Sequence, residues 1–344
     1  MAGGIGSRFW PMSTPQRPKQ FLDVLGIGKS LLQMTFERLQ NISPTENIYI
    51  LTNMDYKEMV LEQLPGLTPD QVLTEPERKN TAPCIAYAAA KIHAINPNAN
   101  LIVSPADHLI MQQENFKASI DAAINSAEQG RIATIGIQPT RPDTGYGYIE
   151  FDNAKELTPN AVFPVQQFRE KPDLETAKQF VAAGNFYWNS GIFIWKSSTV
   201  LNALKEFQPA LHGLFCSDLS AYNTEKEQEF VNHCFATCED ISIDFAVMEH
   251  ANNIDLVLSN FDWSDLGTWG SLDGHLEKDN NNNAHIGSNT HLFNTKNCII
   301  NIDDNKTAII DGLEDYIVIQ SDDKLMILRK ENEQELKAYL KAVK

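Results

Sequence analysis

Short β-rich runs alternate with helical stretches through most of this chain, and no other feature restricts its fold as strongly. Residues 48–52, 101–104 and 132–137 are apolar runs of strand length, rich in β-branched side chains. Helical patterns occupy residues 31–40, 56–64, 82–95 and about 116–129. Residues 163–170, 192–195 and 254–258 add further strands. A strand that returns through a helix lies parallel to its predecessor, and such a sheet is covered on both faces. The expectation is an α/β fold with a mostly parallel sheet flanked by helices.

The alternation stops near residues 279–283, Asp-Asn-Asn-Asn-Asn, a run of linker composition. Short β pieces follow at residues 298–302, 307–310 and 316–319, without helical crossovers, and the chain closes in a polar helix at about 331–343. This divides the sequence into residues 1–283 and a small β domain at 284–344. A length of 344 residues fits two domains, and 42% hydrophobic content supplies a sizeable core. The net charge of −17 argues against nucleic acid and anionic membrane as partners. No apolar run approaches the roughly 20 residues of a membrane span. The glycine-rich start, interrupted by Pro11, is unlike a signal peptide. Five scattered cysteines suit a reducing, cytoplasmic setting. His233, Cys234 and Cys238 lack a second ligand pair and read as ordinary helix residues, not a metal site.

Against this acidic background, residues 1–21 are an exception. Gly3, Gly4 and Gly6, the hydroxyl of Ser7 and the cations Arg8, Arg17 and Lys19 precede the first acidic residue, Asp23. Glycines let backbone amides approach an anion, and arginine and lysine neutralise phosphate charge. A dinucleotide fingerprint needs a third glycine where Phe9 stands. A P-loop ending at Gly28-Lys29-Ser30 needs its first glycine where Asp23 stands.

Gly3-Gly4-Ile5-Gly6-Ser7-Arg8 followed by Pro18-Lys19-Gln20-Phe21 resembles the signature of the sugar-nucleotide pyrophosphorylases. Trp10-Pro11 and the Pro-Lys-Gln-Phe ending resemble its mannose-1-phosphate guanylyltransferase branch. Further similar segments run in order along the chain. They are Glu75-Pro76 with residues 78–83, Pro105-Ala106-Asp107-His108, residues 144–149, Phe168-Arg169-Glu170-Lys171-Pro172, residues 188–193 and residues 263–269. The resemblance implies a Rossmann-like, mostly parallel mixed sheet of the nucleotide-diphospho-sugar transferase type. It also implies a short left-handed β-helix over residues 284–344, without an isomerase domain. In that family the glycine loop follows a central strand, whereas this chain starts directly before the loop. Either the start is truncated or misassigned, or another segment fills that place.

The resemblance implies roles for residues that would otherwise read as turns and caps. Asp107 follows a strand at the end where open α/β sheets place ligands, and Asp265 lies in a loop flanked by tryptophan and glycine. Two such carboxylates, with phosphate and water, suit a magnesium ion. Arg8, Lys19 and Lys171 are the expected catalytic cations, with Lys171 on the sugar phosphate. Ala2, Gly3, Gly4, Gly6 and Ser7 would cradle the nucleotide. Glu75, Asn80 and Thr81 would line its base pocket, Asn80 and Thr81 also capping the helix that begins near Ala82. Gly145, Gly147, Glu170 and Asn189 would contact the hexose. Ser242 and Asp244 read as plain helix caps. The implied reaction is GTP with α-D-mannose 1-phosphate giving GDP-mannose and pyrophosphate. The alternatives are another sugar-1-phosphate nucleotidyltransferase, such as one for UTP and glucose 1-phosphate, and a non-catalytic nucleotide-sugar sensor. Phe9 and the lack of a hydride-transfer pair disfavour a dehydrogenase. The short β pieces of residues 284–344 leave edges that need covering, and a homodimer is expected to cover them.

Overall fold

Along the strand Ile132–Ile137, Ile132 joins one apolar cluster while Ala133, Ile135 and Ile137 join another. The strand Ile254–Leu258 divides likewise, with Ile254, Leu256 and Leu258 in the first cluster and Val257 in the second. This is the period-two alternation of a sheet buried on both faces. The helices Thr81–Ile95 and Ser197–Phe207 contribute to the first cluster. The helix Gln113–Glu128 lays Phe116, Ile120, Ala123 and Ala127 into the second, at three- and four-residue spacing.

The computed structural model describes residues 1–4, 6–152 and 156–343, in two compact units. The first unit comprises Met1 and residues 40–105 and 110–263, and holds both clusters. Its six-stranded sheet runs in the order Asn100–Val103, Phe186–Lys196, Ile132–Ile137, Ile254–Leu258, Val162–Arg169, Tyr148–Phe151. The α/β class matches the expectation, but the pairing is more mixed than β-α alternation implied. Among the described residues, only Ile132–Ile137 and Ile254–Leu258 run parallel in this sheet; the other pairings are antiparallel. Three of these pairings involve the 11-residue strand Phe186–Lys196, which the sequence showed only at residues 192–195, and the other two involve Val162–Arg169. The first half of Phe186–Lys196 pairs with Tyr148–Phe151 and its second half with Asn100–Val103, both antiparallel.

A separate parallel pair joins Ile50–Asn53 to Val72–Glu75. Among the described residues no strand pairs with the second edge of Ile50–Asn53 or of Asn100–Val103, so no described segment fills the place of a central strand. The Met1 ammonium donates to Ser104 O at 2.9 Å.

The second unit comprises residues 2–39, 106–109 and 264–344. Its C-terminal part stacks short parallel strands: Ile299 lies opposite Ile317, Thr290 opposite Ala308 and Lys296 opposite Glu314. Each step is 18 residues, one coil of the stack. Ile300, Ile302, Ile310 and Val318 fill its interior. The strand Lys324–Arg329 closes one side antiparallel. The asparagine run with linker composition is a bonded turn of this unit. Asp279 accepts from the amides of Asn281 and Asn283, and buried Asn283 donates to Thr295 O and accepts from Cys298 N.

Candidate active site

In the second unit, the glycine loop folds onto Lys19. Gly6 has a φ of +65°, and a Cβ there would run into the Cβ of Lys19, so only glycine allows the approach. The start of the loop is tied down by Gln20, whose Nε2 donates to Ala2 O at 2.7 Å. Gly3 is half-buried and Gly4 exposed. Ser7 opens the short helical turn Ser7–Phe9. Ile5 and the Ser7 side chain lie outside the described residues.

The Lys19 side chain is 5% exposed. Its ammonium donates to the carbonyls of Asp265 at 2.6 Å and Leu266 at 3.2 Å, and pairs with Asp107 Oδ2 at 3.0 Å. Three oxygens thus satisfy the three hydrogens of a buried charge. Burial would raise the Asp107 carboxyl, but the Lys19 charge, the adjacent His108 and the hydrogen bond from Lys19 together hold it below the ordinary carboxylate range. Asp265 Oδ1 accepts from Gly267 N at 3.0 Å. Lys19 therefore gathers both predicted metal residues, Asp107 through its side chain and Asp265 through its carbonyl. Among the described residues no group of three or more His, Cys, Asp or Glu side chains is placed to hold a metal. An ionised Asp107 with Asp265 fits a divalent ion that takes its remaining ligands from phosphate and water.

A cavity of about 210 Å³ opens above Lys19. It is lined by Gly6, Arg8, Phe9, Lys19, Leu266, Gly267 and Lys337. No acidic side chain lines it. Lys337 belongs to the C-terminal helix Leu336–Ala342, which sequence reasoning left outside the chemistry.

The first unit carries a second polar cluster. The sheet register shifts between Thr134 and Gly136, beside Asn189, and such an irregularity re-aims a side chain. Asn189 Oδ1 accepts from Gly191 N at 3.0 Å, and its Nδ2 donates to Asp244 Oδ1 at 3.0 Å. Asn189 N donates to Gly147 O at 2.8 Å. A Cβ on Gly147 would lie 2.6 Å from Glu170 Oε2, so glycine admits this carboxylate. Gly145 N donates to Asp143 Oδ1 at 2.8 Å. Lys171, with a left-handed φ of 45°, pairs with Glu170.

Asp244 corrects an expectation. Ser242 does act as a cap, accepting from Phe245 N at 3.3 Å, but the Asp244 carboxylate turns to Asn189. Burial first, and then the charge of Glu170, push the Asp244 carboxyl up to about 6. The π-helical turn Asp244–Met248 that carries it is a form common at functional sites. The only sequence signal was its place in the run Ser242-Ile243-Asp244-Phe245.

Near the start of the helix Thr81–Ile95, Asn80 adopts a φ of 63° and its Oδ1 accepts from Thr81 N. Thr81 Oγ1 accepts from Ile243 N at 2.8 Å, which ties this helix start to the Asp244 turn. Glu75 ends the strand Val72–Glu75 and is buried. Burial raises its carboxyl, opposed by a hydrogen bond from the Cys84 thiol.

Residues 1–281 match the family described as nucleotidyl transferase, and residues 289–342 the MannoseP isomerase/GMP-like beta-helix domain. The mannose-1-phosphate guanylyltransferase of Salmonella montevideo is 37% identical, covering 100% of this chain and 73% of its own length. The alginate biosynthesis protein AlgA of Pseudomonas aeruginosa is 37% identical over 99% of this chain and 70% of its own. The crystal structure of a mannose-1-phosphate geranyltransferase from Thermus thermophilus superposes with a TM-score of 0.87 at 28% identity, covering 100% of this chain and 97% of that one. With a family match over residues 1–281 and relatives this similar along the whole of this chain, the chain belongs to the nucleotidyl transferase family of enzymes.

Proposed function

We propose that the chain is a mannose-1-phosphate guanylyltransferase that converts GTP and α-D-mannose 1-phosphate to GDP-mannose and pyrophosphate. The observation that carries this reading is the Lys19 cluster, in a chain that matches relatives named mannose-1-phosphate guanylyltransferase over 100% of its own length. A phosphate oxygen of mannose 1-phosphate attacks the α-phosphorus of GTP. The bond from the α-phosphorus to the bridging oxygen breaks, and pyrophosphate leaves with the electron pair. The nucleophile is already anionic, so no general base is needed. Catalysis is positioning and charge neutralisation.

Arg8 and Lys19 stabilise the triphosphate and the leaving pyrophosphate. Ala2, Gly3, Gly4, Gly6 and Ser7 offer the loop that holds the nucleotide, and Glu75, Asn80 and Thr81 its base. Lys171 holds the phosphate of the sugar substrate against charge repulsion. Glu170 and Asn189 take sugar hydroxyls, with the backbone at Gly145 and Gly147. Asp107 and Asp265 would hold Mg²⁺, which when bound neutralises phosphate charge as the leaving group departs. In this reading residues 1–283 form the catalytic domain, and the β-helical residues 284–344 support a cytoplasmic homodimer.

Pyrophosphate release from GTP, ATP, UTP and CTP, each offered with mannose 1-phosphate and glucose 1-phosphate, tests the assignment. Turnover is expected with GTP and mannose 1-phosphate and a divalent ion. Preference for UTP with glucose 1-phosphate would replace it. Light scattering tests the dimer, and a monomer at micromolar concentration would remove it.

A further inference from the structure

The cavity above Lys19 has a third cation, and it comes from the opposite end of the chain. Lys337 sits on the helix Leu336–Ala342, and three contacts fix that helix within the second unit. Leu336 is buried in the apolar cluster of Phe9, Leu266 and Trp269, and Leu340 packs against the same cluster. One turn earlier, Glu333 accepts from Thr268 Oγ1 at 3.2 Å and from Gly270 N at 2.8 Å. Glu333 lies in the 3-10 segment Lys330–Glu335 that leads into the helix, so its anchor fixes where the helix carrying Lys337 begins. The loop that Glu333 holds continues directly from Asp265 and Leu266, whose carbonyls hold Lys19.

Among the described residues, neither Arg8 nor Lys337 has an ion-pair partner, although the chain carries 45 acidic residues. Three cations face this cavity, and Lys19 already has its anion in Asp107. Arg8 and Lys337 are left, among the described residues, as two like charges at one cavity, and such charges repel unless an anion bridges them. We propose that Lys337 is a phosphate ligand, closing the Arg8–Lys19 cavity around the pyrophosphate moiety of a nucleoside triphosphate or around free pyrophosphate. Its place on the cavity rim makes the C-terminal helix part of the substrate site. This deepens the proposed guanylyltransferase reading, since pyrophosphate is the leaving group of that reaction.

Calorimetric titration with inorganic pyrophosphate tests the site without turnover, using the full chain, Lys337→Ala and Lys337→Arg. Lys337 is exposed, and its replacement by alanine is expected to leave the melting temperature unchanged. Lys337→Ala is expected to bind pyrophosphate roughly tenfold more weakly, the scale of one charge-assisted contact, and Lys337→Arg to recover most of the loss. In steady state, the KM for GTP should rise with the KM for mannose 1-phosphate unchanged. A rise in the GTP constant alone, with pyrophosphate affinity intact, would overturn the assignment to this moiety. So would wild-type affinity for pyrophosphate in Lys337→Ala, or equal losses for both substrates. Pyrophosphate binding that depends on Lys337 in a protein that does not turn over GTP with mannose 1-phosphate would sink the reaction and leave this site standing. A wild-type chain that binds no pyrophosphate would sink the site whatever it turns over.

Discussion

Lys19 and Lys171 are both assigned to phosphate, yet the fold treats them in opposite ways. The Lys19 side chain is 5% exposed and meets three oxygens. The Lys171 side chain is 60% exposed, stands on a left-handed backbone and meets Glu170. A buried ammonium is tolerated only when fully hydrogen-bonded, so the second unit has built its own structure around Lys19. An exposed lysine costs the fold little and contributes nothing until a ligand arrives. The first cation is therefore preorganised at the expense of being structural as well. In the proposed reading the second serves the ligand alone.

Lys19→Ala should have the largest effect. It leaves Asp107 without its counter-charge and two carbonyls without a donor. We expect kcat/KM for GTP to fall at least roughly a hundredfold, and unfolding free energy to fall by about 2 kcal/mol. Kinetics beside urea unfolding measure both. Lost activity with unchanged stability would break the claim that Lys19 is structural.

Lys171→Ala should cost a roughly ten- to hundredfold rise in the KM for mannose 1-phosphate, with GTP use and urea midpoint unchanged. A lowered midpoint would mean that the two lysines do not differ as described. Gly147→Ala follows at roughly tenfold on the same constant. Its new Cβ would come within 2.6 Å of Glu170 Oε2 and displace the carboxylate beside Lys171. An unchanged sugar constant in Gly147→Ala would show that the position of Glu170 does not matter to binding.

What the sequence disclosed follows the range of the interactions involved. The strands Ile132–Ile137 and Ile254–Leu258 and the helix Leu31–Gln40 stand where periodicity put them, because each buries a contiguous apolar pattern. The approach of Gly6 to Lys19 was signalled by glycine and lysine in one short motif. The long strand Phe186–Lys196 was hidden because polar Asn189 and Ser190 interrupt its apolar run. Asn283 looked like linker, since its burial depends on partners at Thr295 and Cys298. Lys337 was invisible in a polar helix where Lys341 looks equivalent; only the docking of Leu336 and Glu333 distinguishes them. The link from Asp244 to Asn189 spans 55 residues and rests on a π-helical turn that no local pattern announces.

Asp244 supplies the smallest and sharpest test of the comparison. Around Lys19 the charges are balanced, and Asp107 is held ionised. Around Lys171 the carboxyls crowd one another: burial and the charge of Glu170 raise Asp244 from 3.8 to about 6, against the pull of Lys171 and Asn189. An acid raised on folding binds its proton more tightly in the folded state. Its contribution to stability is fully present below the unfolded pKa near 4 and is lost as pH rises through about 6. Asp244→Asn keeps an oxygen for Asn189 Nδ2 and removes the titration. The shift corresponds to roughly 1–2 kcal/mol once solvent at the partly exposed carboxyl is allowed for. The unfolding free energy of the variant relative to the natural chain should therefore rise by that amount between about pH 4 and pH 7. Urea unfolding at both pH values measures it. A difference that stays flat would mean that the Asp244 carboxyl ionises as freely as in the unfolded chain, and that the Lys171 region is as well balanced as the region around Lys19.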